Sequence, residues 1–188
     1  MPLYIPVSGS EPSDFQPAIV TGNYYYPIGS QTTAPIPADL LYAWPIWFSS
    51  TETWTRIGIY VDTGVAATNA RIGVYANGAD NRPGALVLDA GTVSTATTGE
   101  KEITISQSLT ANTVYWLAVV SDDASGMGSL QMMQAGGADD IDRRLGVTAA
   151  VATGVGYSKG HVYAALPDPY GTPDDPDQGC PAIWLRKV

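Results

Sequence analysis

Apolar and polar residues alternate along this chain in short runs, and turn-forming residues close almost every run. Alternation with period two marks a strand with one buried face. The clearest run is 53–61, where Ile57, Ile59 and Val61 would point one way and Arg56, Gly58 and Tyr60 the other. Residues 70–76 repeat the pattern, with Ile72 and Val74 inward and Arg71, Gly73 and Tyr75 outward. The run 113–121 differs. Val114, Trp116, Ala118 and Val120 share one face and Tyr115, Leu117 and Val119 the other, so both faces are apolar and a central strand buried on two sides is predicted. Residues 102–106 and 182–186 complete the well-marked set. Weaker signals mark 24–28, 40–48, 86–89, 129–134, 146–152 and 157–164. Pro45 lies inside the run 40–48; it cannot donate to a ladder, which predicts an edge strand or a bulge there.

Helical spacing of apolar residues is almost absent, and Gly or Pro interrupts most windows that approach it. Short strands with Gly/Pro turns therefore predict an all-β fold, a two-sheet antiparallel β-sandwich of jelly-roll type. The pattern R-I-G-[I/V]-Y occurs at 56–60 and again at 71–75. It predicts two neighbouring strands in similar environments, with glycines that admit an aromatic ring or a backbone at close range. Residues 1–37 carry Pro2, Pro6, Pro12, Pro17, Pro27, Pro35 and Pro37 with little alternation. They read as an extended N-terminal anchoring arm (1–37) ahead of a sandwich domain (38–188). Residues 167–181 form a second Pro/Asp-rich loop before the last strand.

Composition narrows the function. The chain has 188 residues, with 9 basic and 18 acidic residues, a net charge of −9, one Cys and one His. A lone Cys180 excludes a disulfide framework within the chain, and one Cys with one His cannot fill a zinc shell. The acidic balance argues against nucleic-acid binding, which needs clustered Lys and Arg. No stretch has the length of a membrane span, and residues 1–6 lack the basic and apolar regions of a signal peptide.

Candidate chemistry is sparse. His161 would be the only histidine for a catalytic triad, and no G-x-S-x-G elbow accompanies it; a hydrogen-bonded surface role is expected instead. Acidic neighbours make Cys180 a poor nucleophile. Glu100 and Glu102 would share one strand face, the wrong arrangement for a pair acting across a sugar bond. Asp122-Asp123, the cluster at 139–142 and the cluster at 174–177 match no calcium-loop pattern and read as turn residues. No catalytic residue, metal site or cofactor is therefore expected. The aromatic residues are the strongest lead, because Trp and Tyr bury large area at low entropic cost in glycan and protein interfaces. Core packing accounts for Trp116 and Trp54. For Trp44 and Trp47, which flank Pro45, core and contact roles both stand. Tyr24, Tyr25 and Tyr26 cannot all face inward, so at least one should be exposed or pressed against a partner. The candidate glycan or partner contacts are thus Trp44, Trp47, Tyr24, Tyr25 and Tyr26.

The stretches Y-Y-Y-P-I-G-S (24–30), A-D-L-L-Y-A-W-P-I-W-F (38–48), T-R-I-G-I-Y-V (55–61) and A-R-I-G-V-Y-A-N-G-A-D-N-R-P-G-A-L-V-L-D-A-G-T-V (70–93) carry a resemblance. So do residues 101–121 and the closing P-A-I-W-L-R (181–186). Over more than half its length the chain resembles a β-sandwich module of tailed-bacteriophage virion proteins, of tail-fibre, minor-tail, head-spike or decoration type. The resemblance implies a non-enzymatic structural protein displayed on the particle exterior, with host-surface glycans as possible contacts. It implies partners among capsid, portal or tail subunits, reached through the arm, and a homo-oligomer, a trimer by analogy. A capsid decoration (cement) protein and a carbohydrate-binding module of an exported bacterial protein are the alternatives. The chain has no long repeat region or heptads, which points away from a complete fibre and toward a spike, fibre-base or decoration subunit. Assembly in a reducing host cytoplasm agrees with the single Cys. A net charge of −9 favours the outside of a DNA-filled shell.

Overall fold

The computed structural model describes residues 18–27, 30–134, 156–177 and 179–188. They form a β-sandwich with no α-helix among the described residues. One sheet holds β1 (Tyr24–Tyr25), β2 (Ser30–Pro35), β4 (Glu52–Thr63), β7 (Gly99–Leu109), β9 (Ser129–Gln134), β12 (Gly179–Pro181) and β13 (Trp184–Arg186). The other holds β3 (Leu40–Ile46), β5 (Asn69–Asn77), β6 (Pro83–Ser94), β8 (Tyr115–Ser121), β10 (Gly156–Gly160) and β11 (Asp175–Asp177), in the order β11-β10-β3-β8-β5-β6. The segment 146–152 and the acidic cluster 139–142 lie outside the described residues.

Nested pairing organises the centre. β5 pairs with β6, β4 with β7 and β3 with β8, all antiparallel. Residues 40–121 are therefore one long hairpin folded over so that its middle pair lies in one sheet and the inner and outer pairs in the other. This nesting is the logic of a jelly roll.

The core lies between the sheets. Ile57, Ile59 and Val61 enter it from β4, and Ile72 and Val74 from β5, all fully buried. The two R-I-G-[I/V]-Y strands are thus not neighbours, as the echo predicted. They lie in opposite sheets and face the same core. Their glycines do admit close neighbours: a Cβ at Gly58 would stand 2.4 Å from the Trp184 ring, and one at Gly73 would stand 2.3 Å from Leu166.

β8 is buried on both faces as its pattern predicts. Leu117 and Val119 join the core, while Trp116, Ala118 and Val120 join a second cluster on the outer side of the smaller sheet. The segment 161–174 covers that side. Tyr170 donates from Oη to the Leu41 carbonyl (2.7 Å), Lys159 Nζ donates to the Tyr170 carbonyl (2.8 Å), and Leu166 packs over Gly73. Backbone N–H groups of Tyr163 and Leu166 are fastened by Asp39 and Asp89, and Asp168 reaches back to the Leu86 N–H.

β3 is an inner strand rather than an edge. However, β10 lies opposite Leu40–Ala43 only, so at Pro45 the strand has run past that neighbour and keeps β8 as its partner, with Trp116 opposite Pro45. A proline is tolerated at such a local edge.

The stretch read as an arm is partly sheet. Tyr24 and Tyr25 pair with Arg186 and Leu185, and Ser30–Pro35 pairs with β9 along its length. Within the segment read as an arm, Tyr24–Tyr25 and Ser30–Pro35 are thus strands of the larger sheet.

Candidate binding surface

The segment 161–174 covers the outer face of the smaller sheet, and among the described residues no comparable segment covers the outer face of the larger one. Alternation decides what it presents. Glu100, Glu102, Thr104, Ser106 and Ser108 of β7 are exposed, while Lys101, Ile103, Ile105 and Gln107 are half-buried. Across from Glu102 and Glu100, β4 presents Gly58 and Tyr60. Across from Gly58 and Arg56, β13 presents Trp184 and Arg186, and β1 adds Tyr24 opposite Arg186.

Gly58 is the local key. Its missing side chain leaves a seat into which the six-membered ring of Trp184 settles, and Trp184 is fully buried there. Tyr24 meets Trp184 edge-on, with centroids 4.8 Å apart and planes at 85°. Tyr26 lies nearly parallel to Tyr24 at 6.5 Å and 23°. The Arg186 guanidinium sits 4.8 Å from the Tyr24 ring centroid, a cation–π contact.

A polar network surrounds these rings. Tyr24 Oη donates to Glu100 (2.9 Å), and Arg186 Nη1 donates to Tyr24 Oη (3.2 Å). Glu102 bridges Arg56 (3.3 Å) and Arg186 (3.6 Å). The Tyr24 phenol is held above its ordinary pKa, chiefly by its hydrogen bond to Glu100 and then by burial and the Glu100 charge. Tyr26 is raised mainly by burial. Both phenols are therefore neutral at physiological pH. Two buried donors at this patch, Trp184 Nε1 and Arg186 Nε, have no hydrogen-bond partner among the described residues.

The sequence candidates separate as follows. Tyr24 and Tyr26 belong to the patch. Tyr25 points the other way, half-buried against Trp54 (5.3 Å) and Phe48 (6.2 Å). Trp44 is fully buried in the core, with Gly156 so close that a Cβ there would stand 2.4 Å from the ring. This corrects the contact reading of Trp44: its ring exposes no surface, because a strand in mid-sheet turns this position inward. Trp47 is half-buried against the same core. Arg56, Arg186, Glu100, Glu102 and Trp184 were missed as a group. They come from β4, β7 and β13, and only strand register brings them together. Glu100 and Glu102 do share one face, as their spacing requires.

Other candidates take structural roles. His161 Nε2 lies 3.1 Å from the Ala165 carbonyl at the surface. Cys180 is buried. Asp122 accepts from the Asn69 backbone and side chain. Asp123 is buried; burial pushes its carboxyl pKa up, but hydrogen bonds from the Ser125 hydroxyl and the N–H groups of Gly128, Ser125 and Gly126 outweigh it and hold the value low. These are loop-closing roles. Among the described residues no cluster of three or more His, Cys, Asp or Glu side chains could hold a metal ion. Comparison with family models, with curated proteins and with solved structures returns no match.

Proposed function

We propose that this chain is a non-enzymatic structural protein of a tailed-phage particle, a β-sandwich displayed on the particle exterior as part of a fibre, spike or tail appendage. One observation supports the reading above the others. The two stretches at the extremes of the family resemblance, Y-Y-Y at 24–26 and P-A-I-W-L-R at 181–186, meet in space: Tyr24 and Tyr25 pair with Arg186 and Leu185. Segments about 160 residues apart in the chain are thus one structural unit with the nested strands between them. The outer face of the larger sheet, uncovered among the described residues, gives such a domain a surface to present.

In this reading the segment preceding β1 attaches the domain to other particle proteins, since β1 and β2 are engaged in the domain's own sheet. Display would be multiplied by assembly into a homo-oligomer. The net charge of −9 suits an exterior position over one against packaged DNA.

The test is quantitative mass spectrometry of purified particles. A handful of copies per particle supports the fibre or spike role. Hundreds of copies would replace it with the cement role, and absence from particles would refute both.

A further inference from the structure

We infer that Asn77 is a site of spontaneous deamidation, attacked by the backbone nitrogen of Gly78, and that the turn joining β5 to β6 holds this reaction in check. The inference stands on the turn itself and not on where the domain is carried.

The sequence supplies the reactive pair. Asn77 is followed by Gly78, whereas Asn23, Asn69, Asn81 and Asn112 are followed by Tyr24, Ala70, Arg82 and Thr113. A side chain on the following residue shields its backbone nitrogen and restricts the rotation that brings it to the amide; glycine does neither. The only co-reactant is water. The Gly78 nitrogen bonds to Asn77 Cγ, and its proton passes through solvent to Nδ2. The Cγ–Nδ2 bond breaks, ammonia leaves, and a five-membered imide closes. Water then opens the ring at either carbonyl. One product is aspartate; the other is iso-aspartate, whose backbone runs through the former side chain.

The turn is built for the glycine. A Cβ at Gly78 would stand 3.1 Å from Gly84 Cα and 3.1 Å from the Arg82 carbonyl oxygen. Ordinary carbon contacts lie at about 3.5–4.0 Å, so backbone packs here on backbone. The reactive pair therefore comes with the turn.

The same turn disables it. The Gly78 N–H donates to the Arg82 carbonyl at 2.7 Å, which occupies the nucleophile. Trp116 Nε1 donates to Asn77 Oδ1 at 2.9 Å. An indole nitrogen only donates, so it fixes the amide with its oxygen toward Trp116 and its nitrogen toward Asn81 Oδ1, 3.1 Å away. Asn77 ends β5 opposite Pro83. In an extended residue the next nitrogen lies away from the side-chain carbonyl, so ring closure requires Asn77 to leave the strand conformation. The reaction must therefore run through a locally opened turn. Iso-aspartate would add a backbone atom where β5 meets β6 and displace the acceptor of Trp116, a fully buried ring packed against Tyr157.

The experiment incubates the full chain at neutral pH, folded in buffer or unfolded in urea, and follows each asparagine by peptide mapping with mass spectrometry. In urea, Asn77 converts faster than the other asparagines. In buffer it converts at least about tenfold more slowly than in urea, equivalent to about 1.4 kcal/mol of opening free energy. Asn81→Gly removes the partner of Asn77 Nδ2 and suits the left-handed backbone at that position (φ 54°). It should speed conversion severalfold in buffer and leave the urea rate unchanged. Equal rates in buffer and urea, no preference for Asn77 in urea, or an Asn81→Gly protein whose rate in buffer is unchanged or rises equally in urea would overturn the inference.

Discussion

Replacing Gly58 by alanine adds one methyl group, and two arguments disagree on the sign of its effect. Backbone entropy alone favours alanine in a strand interior, by roughly 0.5–1 kcal/mol. The packing opposes it. The new Cβ would stand 2.4 Å from the Lys101 carbonyl oxygen, 2.4 Å from Trp184 Cζ2 and 2.7 Å from Cη2. Ordinary carbon contacts lie at about 3.5–4.0 Å, so roughly 1 Å must be cleared on both sides. One neighbour is ladder backbone and the other a fully buried ring, so neither gives way cheaply. Overpacking costs about 1–3 kcal/mol, and two stiff neighbours place Gly58→Ala near the top of that range, a net loss of about 2 kcal/mol. Urea unfolding should show it as a lower midpoint at constant slope, and heating as a melting temperature lower by about 4–8 °C. In a Trp184→Ala background the ring contact is gone and only the carbonyl contact remains. Gly58→Ala should then cost about 1 kcal/mol less, and the cycle isolates that coupling. A Gly58→Ala protein as stable as the original, or more so, would refute the seat assigned to Trp184.

Other substitutions separate core from surface. Trp44→Ala should destabilise by about 3–5 kcal/mol in urea, because the ring is fully buried; a stable variant with altered ligand binding would contradict its placement. A deletion ending at residue 26 should melt below one ending at residue 17, since only the longer one removes β1 and uncovers Trp184; equal melting temperatures would count against β1 as part of the sheet. Asp123→Asn should cost about 1.5–3 kcal/mol at neutral pH by weakening hydrogen bonds to a charged acceptor. The folded-state pKa of Asp123 is depressed, so the stabilisation by its carboxylate is complete above the unfolded value near 3.9 and is lost as pH falls through the lower folded value. Stability curves of the two proteins should therefore converge in acid; a constant gap down to low pH would show that the carboxylate charge is not what matters.

Much of the fold was legible because period-two alternation is a local signal. The two faces of β8 could be read residue by residue, and so could the inward rows of β4 and β5. What alternation cannot convey is which sheet a strand joins. The pattern at 56–60 and 71–75 looks alike because both strands face one core with a small residue behind, and that holds equally for strands in opposite sheets. β2 escaped notice because Ser30–Pro35 is polar and sits at an edge, where pairing needs backbone rather than apolar side chains. Proline density then made the segment look like a free arm. The candidate surface was half legible for a similar reason. The tyrosine triplet announced that its members could not all be buried, and Tyr24 and Tyr26 do lie opposite Tyr25. The arginines and glutamates beside them were ordinary surface residues until the register of β13 on β4 and β4 on β7 set them side by side. Trp44 and Trp47 are three residues apart around a proline, and nothing local distinguishes the ring that β3 turns into the core.

The most direct test of the proposed particle role is immunogold labelling of intact particles purified from cells that make this chain from its native genome, using antibody raised against the folded domain. The account predicts gold on the exterior of unopened particles at a fibre, spike or tail appendage. Particles that remain unlabelled while the free protein is recovered from the same lysate would contradict it.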